Sequence, residues 1–314
     1  MSEPLAAPIR IAIVGLGKIA RDHHIPSLLA DPRYQLVAAT TTSSDSPVDI
    51  PVYRSLGAMI SATPRLDAVA IATPPQVRYG LAREALDHGL HVMLEKPPGV
   101  SVCEVEDLVV RARARGVALF ASWHLCAAPA MPSAREWIAG RTVRKVVVTW
   151  NENVRKWHPG QTWIWQPGGL GVFDPGINAI SMVTNLMARA LFVNRAVLHV
   201  PANRQAPIAA ELVLTDGAGV VIDVQMDFRE TGEEVWDIVI DTDEGQLALR
   251  RLGTGLEVDG RRLNVDPPQE YARVYDRFVE LVHARAIDAD LAPLKLVADA
   301  FLMARRVEVE PFEE

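Results

Sequence analysis

Short runs rich in apolar and β-favouring residues recur along the first part of the chain, at 11–14, 35–40, 68–72, 91–94 and 118–121. Runs of this length without polar alternation predict strands covered on both faces, as in a parallel sheet between layers of helix. Helical spacing fills the intervals, for example over 77–89, where Gly89 is a natural helix stop. The pattern predicts an α/β, doubly wound parallel sheet. From residue 122 the period changes. Segments 145–150, 209–214, 220–228, 235–241 and 246–250 alternate apolar with polar residues, and Asp216-Gly217 and Glu244-Gly245 supply turns between some of them. That predicts an α+β domain with an open, mostly antiparallel sheet, covered on one face. Two amphipathic helices follow, over 271–284 and 293–306. Without a repeat or a low-complexity linker, the reading is two domains, 1–121 and 122–314, joined tightly, with a ligand cleft between them.

Composition narrows the class. Of 314 residues, 49% are apolar and 23% charged, which is ordinary for a folded soluble chain. No apolar run approaches the roughly 20 residues of a membrane span. The N-terminal Met1-Ser2-Glu3-Pro4 stretch lacks the basic start of a secretory signal, so the expected location is the cytoplasm. A net charge of -7 without clustered Lys and Arg argues against nucleic acid as partner. Cys103 and Cys126 provide neither a disulfide framework nor a thiolate metal site and are read as packed side chains. His124, Glu152, His158 and Asp174 match no metal-ligand spacing, so no metal is expected.

The candidate chemistry begins directly after the first strand, at Gly15-Leu16-Gly17-Lys18-Ile19-Ala20. Glycines there permit a tight turn and close backbone approach to a pyrophosphate, and the helix that follows offers free N–H groups. Gly15, Gly17, Lys18 and Ile19 are therefore expected to bind a dinucleotide. The end of the second strand, where an acid would select NAD and an arginine NADP, reads Thr40-Thr41-Thr42-Ser43-Ser44-Asp45. No acid stands at that strand end and no arginine lies beside it. Hydroxyls of Thr41 and Thr42 can donate to a phosphate, so NADP is slightly favoured over NAD, and Asp45 falls too late for a ribose ligand. The Thr73-Pro74-Pro75 loop and the Glu95-Lys96-Pro97 step follow the third and fourth strands at the ligand-binding edge. A lysine at such an edge can shift its pKa and move a proton. In the second domain, Trp157, Trp163 and Trp165 precede a glycine run and suggest a wall over a flat ligand. Asp174 before Pro175 has the form of a helix N-cap, and Asn178, four residues on, shares its face.

Together these motifs resemble the Gfo/Idh/MocA oxidoreductases, which pair a Rossmann domain with an open-sheet domain. Within that family the chain is most similar to the bacterial L-arabinose/D-galactose 1-dehydrogenases, through ATPPQVRYG (72–80), HVMLEKPPG (91–99), RKWHPGQTWIW (155–165) and GGLGVFDPGINAI (168–180). The resemblance implies oxidation of C1 of a pyranose such as L-arabinose, D-galactose or D-fucose to the aldonolactone. It implies Lys96 and Asp174 as the acid/base pair, either of which can take the proton. It further implies Asn178, Glu152, His124 and Trp157 as sugar ligands, and Thr73, Pro75, Glu95, Lys96 and Trp163 beside the cofactor with the glycine turn. Where NADP-preferring relatives carry Ser-Arg, this chain has Thr41-Thr42. Alternatives are dehydrogenation of another polyol or cyclitol, or a non-catalytic NAD(P)-binding sensor, against which the Lys96/Asp174 pair argues. A homodimer through the second-domain sheet, with Trp236 at its interface, is also expected.

Overall fold

The computed structural model describes residues 7–42 and 49–313. Asp45 and the stretch 1–6 lie outside the described residues. The chain divides into two compact units, one formed by the residues up to Ser122 with Tyr271–Asp290, the other by Trp123–Glu270 with the residues from Leu291 onward.

The first unit holds strands β1 (Ile9–Val14), β2 (Tyr34–Thr40), β3 (Val52–Tyr53), β4 (Ala68–Ile71), β5 (His91–Glu95), β6 (Leu119–Ser122) and the late β15 (Ile287–Asp288). They form one parallel sheet in the order β15-β6-β5-β4-β1-β2-β3. The direction of winding reverses around β1, so the ends of β1 and β4 frame the topological switch point where doubly wound sheets bind ligands. All four residues of β4 are fully buried, as a strand covered on both faces requires.

The sequence reading placed all of 122–314 in one domain, whereas Tyr271–Asp290 lies with the first unit. The Glu270–Ala284 helix explains this. Its apolar face carries Tyr271, Val274, Tyr275 and Phe278, all buried, with Phe278 stacked on Phe120 of β6. β15 then pairs with β6 and extends the sheet.

The second unit contains β7 (Val143–Asn151), β8 (Phe192–Pro201), β9 (Ala209–Thr215), β10 (Val221–Asp227), β11 (Val235–Thr242), β12 (Gly245–Arg250), β13 (Gly255–Val258), β14 (Arg261–Leu263) and β16 (Arg305–Val309). Their order is β14-β13-β12-β11-β7-β10-β9-β8-β16, antiparallel except at β7/β10 and β8/β16. Alternation decides the faces. Val148, Val224 and Ile238 lie in register on the covered side, while Lys145, Asp223 and Gln225 stay open. The helix expected over 293–306 ends at Met303, because Val307 and Val309 alternate with charged residues and continue as β16.

Candidate active site

In the first unit four loops gather at the C-terminal edge of the parallel sheet. Gly15 leaves β1 with φ of +99°, and its N–H donates to the Thr40 carbonyl at 3.0 Å. A Cβ there would stand 2.9 Å from Thr73 Cγ2 and 3.1 Å from the Ala72 carbonyl oxygen, so only glycine lets the turn pass this close to the Thr73 loop. Gly17 follows, and Lys18 and Ile19 open the helix, and the N–H groups of a helix's first turn, which lack intrahelical acceptors, suit an anion. The Lys18 ammonium pairs with Asp22, so the backbone is what Lys18 offers a phosphate. Pro26 has no N–H for the preceding turn, and the bonding widens to a π-helix over Ala20–His24. His24 is buried in that turn.

His24 belongs to a network under Lys96. Its Nε2 lies 3.0 Å from Glu95 Oε1 and its Nδ1 2.7 Å from the Tyr275 hydroxyl. Tyr271 donates its O–H to Glu95 Oε1 at 2.7 Å, and the Lys96 N–H donates to Glu95 Oε2 at 3.0 Å. The carboxylate expected beside the cofactor is thus committed inward and fixes the backbone of Lys96. Burial pushes the Tyr275 hydroxyl far above the ordinary phenol range. A second brace is Arg78, buried in the helix that starts at Pro75. Its guanidinium donates to the carbonyls of Glu95, at 2.5 Å, of Pro97 and of Thr73, tying two loops of the edge together. Thr73 Oγ1 is buried and has no hydrogen-bond partner among the described residues. A dinucleotide fits this edge. The glycine turn leaves room for a pyrophosphate, and Thr73 holds an unspent hydroxyl next to it.

In the second unit the helix Phe173–Leu186 carries Asp174 and Asn178, both buried. Its N-cap is Val172, with no side-chain cap, so the expected capping role for Asp174 gives way to a place inside the first turn. The helix approaches the covered face of the sheet closely. A Cβ on Gly176 would stand 2.3 Å from Met226 Sδ, and Met226 is in register with Trp150 on β7 and, through it, with Trp236 on β11. Asn178 Oδ1 is buried and has no hydrogen-bond partner among the described residues. His124 is half-buried on the turn His124–Ala127, which abuts the same helix through Cys126 Sγ, 3.4 Å from the Ser181 carbonyl oxygen.

Glu152 follows β7 directly and is buried. Its Oε2 accepts the indole N–H of Trp150 at 3.0 Å and of Trp236 at 2.8 Å, and its Oε1 lies 3.6 Å from His158 Nε2. Trp236 meets Trp157 edge to face, with ring centroids 6.0 Å apart. It therefore sits in the Glu152 cluster on the covered side and not on the open face, where a dimer interface was expected to use it. Strand parity decides this, since Trp236 shares its side of β11 with buried Ile238 and Ile240. Trp157 is held from below by Glu234, which accepts its indole N–H at 2.6 Å and the Asn153 N–H at 3.1 Å and pairs with Lys156. Burial alone would raise the Glu234 carboxyl, but these donors outweigh it and hold it below the ordinary range. Trp163 is half-buried on the turn Thr162–Trp165.

Residue types alone did not single out His24, Arg78 or Tyr271, and gave Trp236 a different role. Their partners are fixed by topology, and only the apolar spacing of 271–284 hinted at one of them. Among the described residues no group of three or more His, Cys, Asp or Glu is placed to hold a metal ion, and no helix is long and apolar enough to cross a membrane.

A glycine turn at the switch point of a doubly wound sheet, followed by an open-sheet unit, defines a dinucleotide-dependent oxidoreductase, and comparison with known proteins agrees. Residues 9–122 match the model of an oxidoreductase family with an NAD-binding Rossmann fold. The chain is 44% identical to a galactose 1-dehydrogenase of Pseudomonas fluorescens over 97% of its own length and 99% of the relative's. It therefore belongs to the Gfo/Idh/MocA oxidoreductase family. A crystal structure of D-galactose-1-dehydrogenase from Rhizobium etli superposes with a TM-score of 0.94 at 47% identity, covering 98% of this chain and 99% of that one. A 3-ketoreductase from Actinomadura kijaniata, solved with NADP and TDP-benzene, shares the fold at 20% identity, with a TM-score of 0.82 and coverage of 96% and 99%.

Proposed function

We propose that the chain is an NAD(P)-dependent aldose 1-dehydrogenase that oxidises C1 of a pyranose such as D-galactose, L-arabinose or D-fucose to the aldonolactone. The observation that carries this reading is the buried, unpartnered Oδ1 of Asn178 one turn from buried Asp174. A buried amide oxygen without a donor is costly, and a sugar hydroxyl is a donor of the right size. The kinship to two galactose 1-dehydrogenases supports the substrate class.

The bound nicotinamide supplies the hydride acceptor. As the C1–H electron pair leaves the sugar, the anomeric hydroxyl must lose its proton so that the C1 carbonyl can form. We assign that proton to Lys96 and Asp174, an ammonium and a carboxylate able to hold or move it. Asn178 cannot titrate, so the proton burden stays with those two groups. Glu152 and His124 orient further hydroxyls, and Trp157 offers an apolar ring face to the sugar's C–H surface. Gly15, Gly17, Lys18, Ile19, Thr41, Thr42, Thr73, Pro75, Glu95 and Trp163 are assigned to the cofactor, Glu95 by fixing the Lys96 backbone. The unit ending at Ser122 is assigned to dinucleotide binding and the other to the sugar. The open face of the nine-stranded sheet is the surface we assign to a homodimer, and the cytoplasm is the assigned location.

The test is initial-rate reduction of NAD and NADP with D-galactose, L-arabinose, D-fucose, D-xylose, D-glucose and myo-inositol. Turnover of the first three, lost in Lys96→Met and Asp174→Asn while cofactor affinity persists, is the expected outcome. Silence across the panel with cofactor bound would refute the aldose reading.

A further inference from the structure

Of the four sugar ligands assigned above, only Trp157 is exposed, at 39%. An exposed ring samples several rotamers, and ordering it when a sugar arrives weakens binding. The turn that carries it, Val154–Trp157, has four residues, too few to hold a helical shape unaided. It needs ties from outside, and one carboxylate supplies them at both of its ends. Glu234, with a side chain 11% exposed, stands just before β11. Its Oε1 accepts the Asn153 N–H ahead of the turn at 3.1 Å and the Trp157 indole N–H at its end at 2.6 Å. Its Oε2 pairs with the Lys156 ammonium, which lies 4.6 Å from the centroid of the Trp157 ring. Trp236 meets the same ring with planes 75° apart. The indole is therefore fixed in orientation before any sugar arrives.

We propose that Glu234 is a positioning residue of the sugar site, which acts through Trp157 by holding its indole and its turn ready for the sugar's C–H surface. A carboxylate suits the task because it accepts several donors at once, and hydrogen bonds to a charged acceptor are stronger than neutral ones. Glu234 thereby does for Trp157 what Glu152 does for Trp236, whose indole N–H it accepts at 2.8 Å. A ring ordered in advance strengthens binding of the sugar and of its transition state alike, so loss of the tie shows in KM and not in kcat. The inference rests on the assignment of Trp157 to the sugar.

Two measurements test it: initial rates with D-galactose at saturating cofactor, and solvent exchange of the nitrogen-15-labelled indole N–H groups by NMR without sugar. Glu234→Ala should raise the sugar KM about 3- to 10-fold and keep kcat within about twofold. The Trp157 indole N–H, identified by its absence from Trp157→Phe, should exchange at least about tenfold faster in Glu234→Ala. Glu234→Gln, which keeps an oxygen for the indole but no charge for Lys156, should fall between. In the Trp157→Phe background, where no indole N–H remains to be held, Glu234→Ala should raise KM by no more than about twofold, whereas a general defect of the fold would add its full effect. An unchanged KM in Glu234→Ala, a fall in kcat instead, or an equal rise in both backgrounds would overturn the assignment. A sugar panel silent in wild type, with Trp157 still protected through Glu234, lays the failure on the aldose reading. Turnover in wild type with KM and indole exchange unmoved by Glu234→Ala lays it on the role given to Glu234.

Discussion

Tyr271→Phe removes one oxygen from the centre of the first unit. The ring keeps its stacking on His23, at 4.7 Å between centroids, and its edge contact with His24 at 5.0 Å. What disappears is the 2.7 Å hydrogen bond to Glu95 Oε1, which then keeps only His24 Nε2 at 3.0 Å of these two partners. Hydrogen bonds to a charged group contribute roughly 1.5–3 kcal/mol. Tyr271 and Glu95 are 6% and 3% exposed, so water cannot readily replace the lost donor. The expected loss of stability is about 2 kcal/mol, which for a unit of this size corresponds to a fall in Tm of about 4–8 °C. Calorimetry and urea denaturation measure it directly. A loosened Glu95 also frees the Lys96 N–H, so kcat should drop several-fold while NADPH affinity changes little. A variant within about 0.5 kcal/mol of wild type, with unchanged kcat, would refute the view that this network bears on the lysine.

Gly176→Ala should cost roughly 1–3 kcal/mol, since the new methyl overlaps Met226, 2.3 Å away by its sulfur. Adding Met226→Ala should recover part of that, and a double-mutant cycle by urea denaturation reads the coupling. Phe312→Ala removes a buried ring that packs 5.4 Å from Trp165 and lies 4.4 Å below the Arg155 guanidinium, so a loss of roughly 3 kcal/mol is expected in thermal melts. His91 accepts the Ala118 N–H on Nδ1 at 2.9 Å, and burial, with Arg285 nearby, lowers its pKa from the ordinary 6.5. A base lowered on folding contributes fully above its unfolded pKa and loses that contribution as pH falls through the folded value, so stability should decline below about pH 6.5. His91→Gln should flatten that slope in urea midpoints measured across pH.

The parallel sheet was legible because β1, β4, β5 and β6 are buried on both faces and their apolar runs have no polar interruption. The β11/β12 hairpin was legible from Glu244-Gly245. β8 was not, because Asn194 and Arg195 break its alternation where the register shifts against β9. Glycine turn, Thr73 loop and Lys96 step could be placed at one edge, since doubly wound sheets put every strand's C-terminal end there. What escaped was contact across long separations. Tyr271 and Glu95 are 176 residues apart, and His24 and Glu95 are 71 apart. Asp174-Pro175 misled as a cap because the helix begins two residues earlier than that cap implies, at Phe173.

The late return of Tyr271–Asp290 to the first unit has a consequence for biosynthesis. A nascent chain reaches Ser122 with β6 as a bare sheet edge and the Glu95 carboxylate still lacking Tyr271. Translation of the second unit must run through about 150 further residues before the helix and β15 emerge, which at ~5–20 residues per second takes roughly 7–30 s. During that interval the dinucleotide fold lacks its last strand, and the β6 edge that β15 later covers is open to pairing with another chain.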